Sequence, residues 1–361
     1  MLDAVIKIGS SLLETSDKKM DTQFLEDIAS QVSHLFSCGK RVVIVSSGAT
    51  LCGLIETNTK KVPNDIISKQ VLCSIGQPIL MSHWREAFSK YSLRVGQILL
   101  TYDDFGEKER KTNARNTILF MLKQGTVPII NENDTVAVDE IKLGDNDFIS
   151  AYVSALCDSK KLILLSNVKG VYDERGSLLK IIENVRELTK KDFIRKSRWY
   201  SRASVGGMLT KLESAGIASM FGISTYIVNG RDKNVITDIV LKDTVEGTFI
   251  PPKKIFSKAL IWIGKIMKPK GKILIDDGAE KALLTGKSLL PSGIKDVYGE
   301  FSKGDAVVIV NEKNEEICHG IVNYSSVEIN IIKGKNSKEI EKLGIEFREA
   351  IHRNKIFFSN S

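Results

Sequence analysis

The sequence is poor in the side chains on which most metal, thiol and base-stacking chemistry depends: 5 cysteines, 4 histidines and 3 tryptophans in 361 residues. Cys38, Cys52, Cys73, Cys157 and Cys318 are scattered, odd in number and free of any CxxC pair. That excludes a zinc motif and a disulfide framework and leaves buried free thiols as the expectation. His34, His83, His319 and His352 show no spacing for a triad or a ligand set and are read as structural or exposed. Trp84, Trp199 and Trp262 form no aromatic stripe on which bases could stack. No apolar run reaches the roughly eighteen residues that a membrane-spanning helix needs. The first strand begins without a charged leader or a small-residue cleavage site, so a cytoplasmic location is expected. There is no internal repeat and no low-complexity tract. The Walker A spacing, with two glycines five residues apart followed by Lys and Ser/Thr, is also missing, which excludes the P-loop fold.

What is present describes a globular chain of two-domain length. Hydrophobic residues make up 42% and charged residues 27%, a balance that buries a core rather than staying disordered. The formal net charge is +8. From residue 251 onward there are 19 Lys+Arg against 14 Asp+Glu, so most of the surplus lies in the last third. Two readings of it stay open: a contact surface for a polyanion, or a lysine-rich solvated face.

Two stretches have the composition of phosphate-handling loops. Ala4-Val5-Ile6-Lys7-Ile8-Gly9-Ser10-Ser11 lies near the N-terminus, and Val205-Gly206-Gly207-Met208-Leu209-Thr210-Lys211 some two hundred residues later. Small residues let backbone N–H groups approach an anion, and a helix N-terminus adds a favourable dipole. A lysine supplies a mobile cation for a transferring phosphoryl group. Lys7 sits inside an apolar strand, where a charge is costly unless it is paired or used. The alternative is a strand-edge lysine reaching solvent.

Between these stretches strands and helices alternate. Residues 2–8 read as a strand and 21–37 as a helix with Phe24, Leu25, Ile28, Val32 and Leu35 on one face. Asp21 is its cap and Gly39 its stop. Arg41-Val42-Val43-Ile44-Val45 reads as a strand buried on both faces, ending in the small loop Ser46-Ser47-Gly48-Ala49. Further helices are expected over 66–90, 112–124, 144–157 and 207–221, and strands over 95–101, 126–130, 161–165 and 224–228. In the 144–157 helix Ile149, Tyr152, Val153 and Leu156 should face inward. Residues 183–202 read as a mobile surface segment. The pattern predicts a three-layer αβα sandwich on a mainly parallel sheet, in which ligands bind at the C-terminal ends of the strands. The Pro251-Pro252 region suggests a linker. The expected division is 1–250, a linker over 251–264, and a small β-rich domain with a tail over 265–361, with strands at 272–276, 305–310 and 320–322.

Three short polar clusters fall at strand ends or helix starts. Ser46-Ser47-Gly48-Ala49 is by itself a common loop. Asn131-Glu132-Asn133-Asp134 follows an apolar strand directly and reads either as a turn or as a site for ligand amines and carboxylates. Asp145-Asn146-Asp147 opens a helix, where one such residue would suffice as a cap.

Taken in order, these stretches resemble the glutamate 5-kinases of the amino acid kinase superfamily. The strings that carry the resemblance are IKIGSS at 6–11, VSSGA at 45–49, SKQ at 68–70, VGQILLT at 95–101 and NAR at 113–115. They continue with VPIINENDTV at 127–136, EIKLGDNDFISA at 140–151 and GGMLTKLESA at 206–215. IDDGAEKALLTGKSLLPSGIK at 275–295 and GEFSKGDAVVIVNEKNEEICHGIVNYSS at 299–326 look like a PUA domain. The resemblance spans nearly the whole chain.

The resemblance implies ATP-dependent phosphorylation of the L-glutamate side-chain carboxylate to glutamyl 5-phosphate, the first step toward proline, with Mg²⁺. By motif position it implies that Lys7 and Lys211 contact the phosphates, that Asp147 holds the lysines, and that Ser47, Asp134 and Asn146 bind glutamate. Gly9, Ser166, Asn167 and Val205, Gly206, Gly207, Met208, Leu209, Thr210 and Lys211 are the implied nucleotide side, and no residue is assigned as a metal ligand. It further implies a homo-oligomer, dimer or tetramer, with proline as a feedback inhibitor. The PUA-like part raises RNA as a partner; no membrane partner is expected. A carboxylate nucleophile is already ionised at neutral pH and needs positioning and charge cancellation rather than a general base. The alternatives are another carboxylate kinase of the superfamily and an RNA-binding protein with a degenerate kinase domain. Ser166-Asn167 and Ser204-Val205 depart from the usual Thr-Asp and Gly-Thr of the family, both on the nucleotide side.

Overall fold

A computed structural model describes residues 2–137, 145–190, 202–244, 246–253 and 257–358. Residues 140–144 of the EIKLGDNDFISA string and 191–201 of the 183–202 segment lie outside the described residues. The chain divides into two compact units, Met1–Asp104 with Lys108–Lys254, and Phe105–Glu107 with Ile255–Ser361.

In the first unit β-branched runs form the strands β1 (Ala4–Ile8), β2 (Val42–Ser46), β3 (Arg94–Leu100), β4 (Thr126–Glu132), β5 (Lys161–Ser166), β6 (Ser224–Asn229) and β7 (Gly247–Ile250). They build a seven-stranded sheet in the order β3-β4-β2-β1-β5-β6-β7. Every pairing is parallel except β6 with β7. Strand β1 therefore lies at the reversal of strand order, with β2 on one side and β5 on the other. The crevice at such a reversal is where open α/β sheets bind ligands. Strand β7, for which the sequence pattern gave no strand, ends just before Pro251-Pro252.

The helices cover both faces. The first is α1 (Thr22–Ser37), capped by the Asp21 carboxylate, which accepts a bond from the Phe24 N–H at 3.0 Å. It ends at Gly39, whose φ of 73° favours a residue without a Cβ. Its apolar stripe Phe24, Leu25, Ile28, Val32 and Leu35 is buried against the sheet, each side chain contributing about 1.5–3 kcal/mol of transfer free energy. On the same side follow α2 (Ala49–Glu56) and α3 (Ile66–Ser89). Helix α4 (Lys108–Lys123) begins four residues earlier than its apolar pattern suggests. On the opposite face α5 (Asp145–Leu156) packs on β1, β4 and β5, and α6 (Arg202–Met220) packs on α5 and β6. Ile149, Tyr152, Val153 and Leu156 of α5 are buried, as their spacing predicts. Helix α7 (Val235–Lys242) returns to the α1 side.

The second unit is a five-stranded sheet in the order β12-β11-β10-β8-β9. Its strands are β8 (Gly271–Ile275), β9 (Ile294–Tyr298), β10 (Ala306–Val310), β11 (Glu316–Val322) and β12 (Ile351–Phe357). It also carries helices α8 (Asp277–Leu284), α9 (Ser326–Ile332) and α10 (Ser337–Lys342). Residues expected as linker are partly helical: Lys258–Ile261 runs into Trp262–Ile266. Ser257 caps this piece through the Leu260 N–H, and Ile261, Ile263 and Ile266 are buried. The cysteines are all free; Cys52, Cys73, Cys157 and Cys318 are buried as expected, whereas Cys38, beside the stop of α1, is exposed.

Candidate active site

Alternation along β1 sends Ala4, Ile6 and Ile8 into the core beneath α1 and α3 and Val5 and Lys7 to the other face, toward α5. Lys7 is 6% exposed, so the solvent-reaching alternative fails. Its Nζ lies 2.7 Å from Oδ1 of Asp147, in the first turn of α5. The other oxygen, Oδ2, lies 3.3 Å from Lys211 Nζ and accepts a bond from the Thr210 hydroxyl at 2.7 Å. Burial alone would raise the Asp147 carboxyl; Lys7 and Lys211 outweigh it and hold the group below its ordinary range. Burial, reinforced by the neighbouring Lys7 ammonium, lowers Lys211 to about 8 against the pull of Asp147. Two ammonium groups around one carboxylate leave a positive surplus, the condition for holding a polyanion.

These groups line a cavity of about 750 Å³ at the C-terminal ends of β1, β2, β4 and β5. Its other wall is a chain of amides. Asn146 donates through Nδ2 to the Ser47 hydroxyl oxygen and to Asn131 Oδ1, both at 2.9 Å. Asn131 in turn donates to Gln77 at 2.8 Å, and Gln77 to Gln97 at 2.9 Å. This direction leaves Asn146 Oδ1 as a buried acceptor with no hydrogen-bond partner among the described residues. It also leaves the Ser47 O–H proton to donate elsewhere. The Ser47 loop is fixed from behind: the Trp84 indole donates to Ser46 Oγ at 3.0 Å, and Ser46 Oγ donates to the Ser47 carbonyl at 2.8 Å. Gly48, with φ of 117°, turns the chain into α2, whose first residues Ala49, Thr50 and Leu51 line the cavity.

Of the residues singled out in the sequence, the cavity wall brings together Lys7, Gly9, Ser47, Asp134, Asn146, Asp147, Ser166, Asn167, Gly207, Met208, Thr210 and Lys211. A Cβ on Gly9 would stand 3.7 Å from Lys7 Nζ, so only a small residue leaves that ammonium open. Leu209 is not part of the wall. Thr210 turns its hydroxyl to Asp147. Val205 and Gly206 belong to α6, and their side-chain surroundings lie outside the described residues. Because α6 begins at Arg202, the Gly206-Gly207 pair lies inside the helix rather than in a loop before it, and Lys211 reaches back to the Gly207 carbonyl at 3.3 Å. Asn131, Gln77 and Gln97 were not singled out. Asn131 stood within a marked cluster and Gln97 within the quoted string VGQILLT, neither with a role of its own, and Gln77 carries no local signal.

Residues 4–229 match the amino acid kinase family and residues 271–344 the PUA domain. Together with a mostly parallel sheet, beside which one buried carboxylate on α5 pairs with Lys7 of β1 and Lys211 of α6, this defines the class. Curated relatives agree over almost the whole chain. "Glutamate 5-kinase" of Thermoanaerobacter sp. (strain X514) is 39% identical over 98% of this chain and 96% of its own length. That of Aquifex aeolicus is 41% identical over 97% of both, and that of Geobacter sulfurreducens 40% identical over 98% and 96%. Among solved structures, N-acetylglutamate synthase from Neisseria gonorrhoeae, complexed with coenzyme A and N-acetyl-glutamate, has a TM-score of 0.50 at 15% identity. That likeness covers 71% of this chain and 61% of the other, and it speaks to the fold alone. The chain belongs to the amino acid kinase family, within it to the glutamate 5-kinases.

Proposed function

We propose that this chain transfers the γ-phosphoryl group of ATP to the side-chain carboxylate of L-glutamate, giving L-glutamyl 5-phosphate, the first step of proline biosynthesis. The observation that carries the reading is Asp147, which holds Lys7 and Lys211 on its two oxygens in the cavity wall, beside the hydrogen-bonded Ser47, Asn146 and Asn131 side chains. The reaction joins two anions, so its barrier is chiefly charge repulsion and misalignment. The two ammonium groups offset the charge of the phosphates, and the acceptor carboxylate attacks phosphorus without a base. In this reading Asn146 Oδ1 and the Asp134 carboxylate take the α-ammonium group. The Ser47 hydroxyl and the N-terminal N–H groups of α2 take the α-carboxylate. Gly9, Ser166, Asn167 and the Val205–Lys211 segment form the nucleotide side.

Mg²⁺ is proposed to arrive on the nucleotide phosphates, where it supplies further charge neutralisation. This fits the donor set: both Asp147 oxygens already serve Lys7, Lys211 and Thr210, and no cluster of three metal-binding side chains exists among the described residues.

We take 1–250 as the catalytic domain, 251–264 as the connecting stretch, helical from Lys258, and 265–361 as a PUA-like domain and tail. A dimer or tetramer inhibited by proline is proposed on the resemblance, as is RNA contact through the second unit, and a cytoplasmic location on the sequence pattern. The test of the reaction is a coupled ATP assay with hydroxylamine present. Glutamate should yield a hydroxamate and ADP in equal amounts. Turnover of aspartate or N-acetylglutamate, but not glutamate, would refute the assignment.

A further inference from the structure

Cys73, Leu80 and Trp84 of α3 are buried. They lie four before, three after and seven after Gln77, so the helix turns Gln77 to the core. A buried amide must find partners there. Gln77, 8% exposed, finds two: its Oε1 accepts from Asn131 Nδ2 at 2.8 Å, and its Nε2 donates to Gln97 Oε1 at 2.9 Å. The helix that mounts it is held at backbone contact one residue earlier, since a Cβ on Gly76 would stand 1.9 Å from the Ala49 carbonyl oxygen. The polarity of this chain of amides is set by the backbone. The Glu132 N–H can only donate, and it donates to Asn131 Oδ1 at 2.9 Å. That turns Asn131 Nδ2 to Gln77 and leaves Oδ1 to accept from Asn146. Asn146 Nδ2 then spends both its protons, on Ser47 and Asn131. Oδ1 is the one polar group its side chain has left to offer.

We propose that Gln77 is a positioning residue for the acceptor pocket, holding Asn131 so that Asn146 presents a carbonyl oxygen, and no N–H, to the ammonium group of the amino-acid substrate. The inference rests on the glutamate reading above. Gln77 stands behind the cavity and acts through Asn131 and Asn146, which line it. An ammonium group can only donate, so an Asn146 turned to show its N–H groups would oppose it. Without the Gln77 acceptor, Asn131 Nδ2 is an unmatched donor on a side chain 2% exposed, a costly state. Asn131 escapes it by rotating, and the Asn146 amide is then free to turn over.

The experiment compares Gln77→Met, Gln77→Leu and Gln77→Glu in the full chain. It measures kcat, the KM values for glutamate and ATP, and inhibition by glutarate, which is glutamate without its ammonium group. Met and Leu remove the acceptor and should raise glutamate KM about 3- to 10-fold, with kcat, ATP KM and the glutarate inhibition constant moving less than about twofold. Glu keeps an oxygen that accepts, with or without a proton, and should restore most of the loss. In an Asn146→Ala background the Gln77→Met effect should vanish. Unchanged glutamate KM in Met and Leu, an equal rise in all three variants, an equal rise for glutarate, or an effect that persists without Asn146 each overturns the proposal. Leu serves in place of Met should Met fail to fold. A parent chain that turns over glutamate while the Gln77 variants match it refutes this inference alone. A parent chain with no glutamate turnover refutes the functional reading and this inference with it.

Discussion

Lys7 and Asp147 form a buried ion pair at 2.7 Å, joining the C-terminal end of the central strand to the first turn of α5. The pair ties the fold to the chemistry. The lysine sits in an otherwise apolar strand, and the carboxylate that neutralises it also receives Lys211 at 3.3 Å. Asp147→Asn keeps the shape and removes the charge, leaving two buried ammonium groups uncompensated. We expect kcat to fall by ~10²–10³, the scale for lost electrostatic stabilisation of a transition state, together with a lowered melting temperature. Calorimetry and steady-state kinetics on the same preparation check both. Parent-like values would remove Asp147 from its place.

Lys211→Ala should also lower kcat by ~10²–10³ and leave glutamate KM nearly unchanged, because the proposed reading puts Lys211 on the phosphoryl side of the cavity. A glutamate KM that rises while kcat holds would move Lys211 to the acceptor side.

Burial lowers Lys211 to about 8, and the reaction needs its cationic form. Activity of the free enzyme, read as kcat/KM for ATP, should therefore fall as pH rises through about 8. Bound phosphates favour the cation, so the corresponding limb of kcat should lie at higher pH. Lys211→Arg carries a charge that cannot be titrated away, so whatever activity it retains should lose this limb. An alkaline limb that persists unchanged in Lys211→Arg assigns the titration to another group.

Proline shares the α-carboxylate and amine-bearing carbon of glutamate but has no side-chain nucleophile. If Ser47, Asp134 and Asn146 grip those shared groups, proline should compete with glutamate. Inhibition should weaken as glutamate rises, and Asp134→Ala should impair both glutamate binding and proline sensitivity. Inhibition indifferent to glutamate concentration would separate the two sites.

Much of this architecture was legible because local patterns and global fold agree. The α1 stripe with its Asp21 cap and Gly39 stop is one example. Lys7 is another, since a charge in a doubly buried strand demands a partner. The amide chain was not legible. Gln77 on α3 and Gln97 on β3 become meaningful only when sheet order brings β4 between β3 and β2, and no sequence spacing encodes that. The start of α6 was misplaced because glycines read as a loop, whereas the helix runs through them from Arg202. In the second unit, α8, α9 and α10 had readable starts: Asp276 as a cap, and the Ser325–Glu328 and Asn336–Glu339 capping boxes. Their short apolar faces gave too little periodicity to stand out. Strand β9, Ile294–Tyr298, is half charged or polar because it lies at a sheet edge.

The central claim is that the glutamate side-chain carboxylate is the nucleophile. Glutamate labelled with ¹⁸O in that carboxylate, incubated with ATP, enzyme and hydroxylamine, tests it directly. Attack by the carboxylate leaves one labelled oxygen bridging carbon and phosphorus. Hydroxylamine then attacks the carbonyl carbon and releases phosphate that carries the label, visible as an isotope shift in its ³¹P resonance. The account predicts one ¹⁸O in each phosphate released with hydroxamate. Unlabelled phosphate would mean that water or another group accepts the phosphoryl group, and would contradict it.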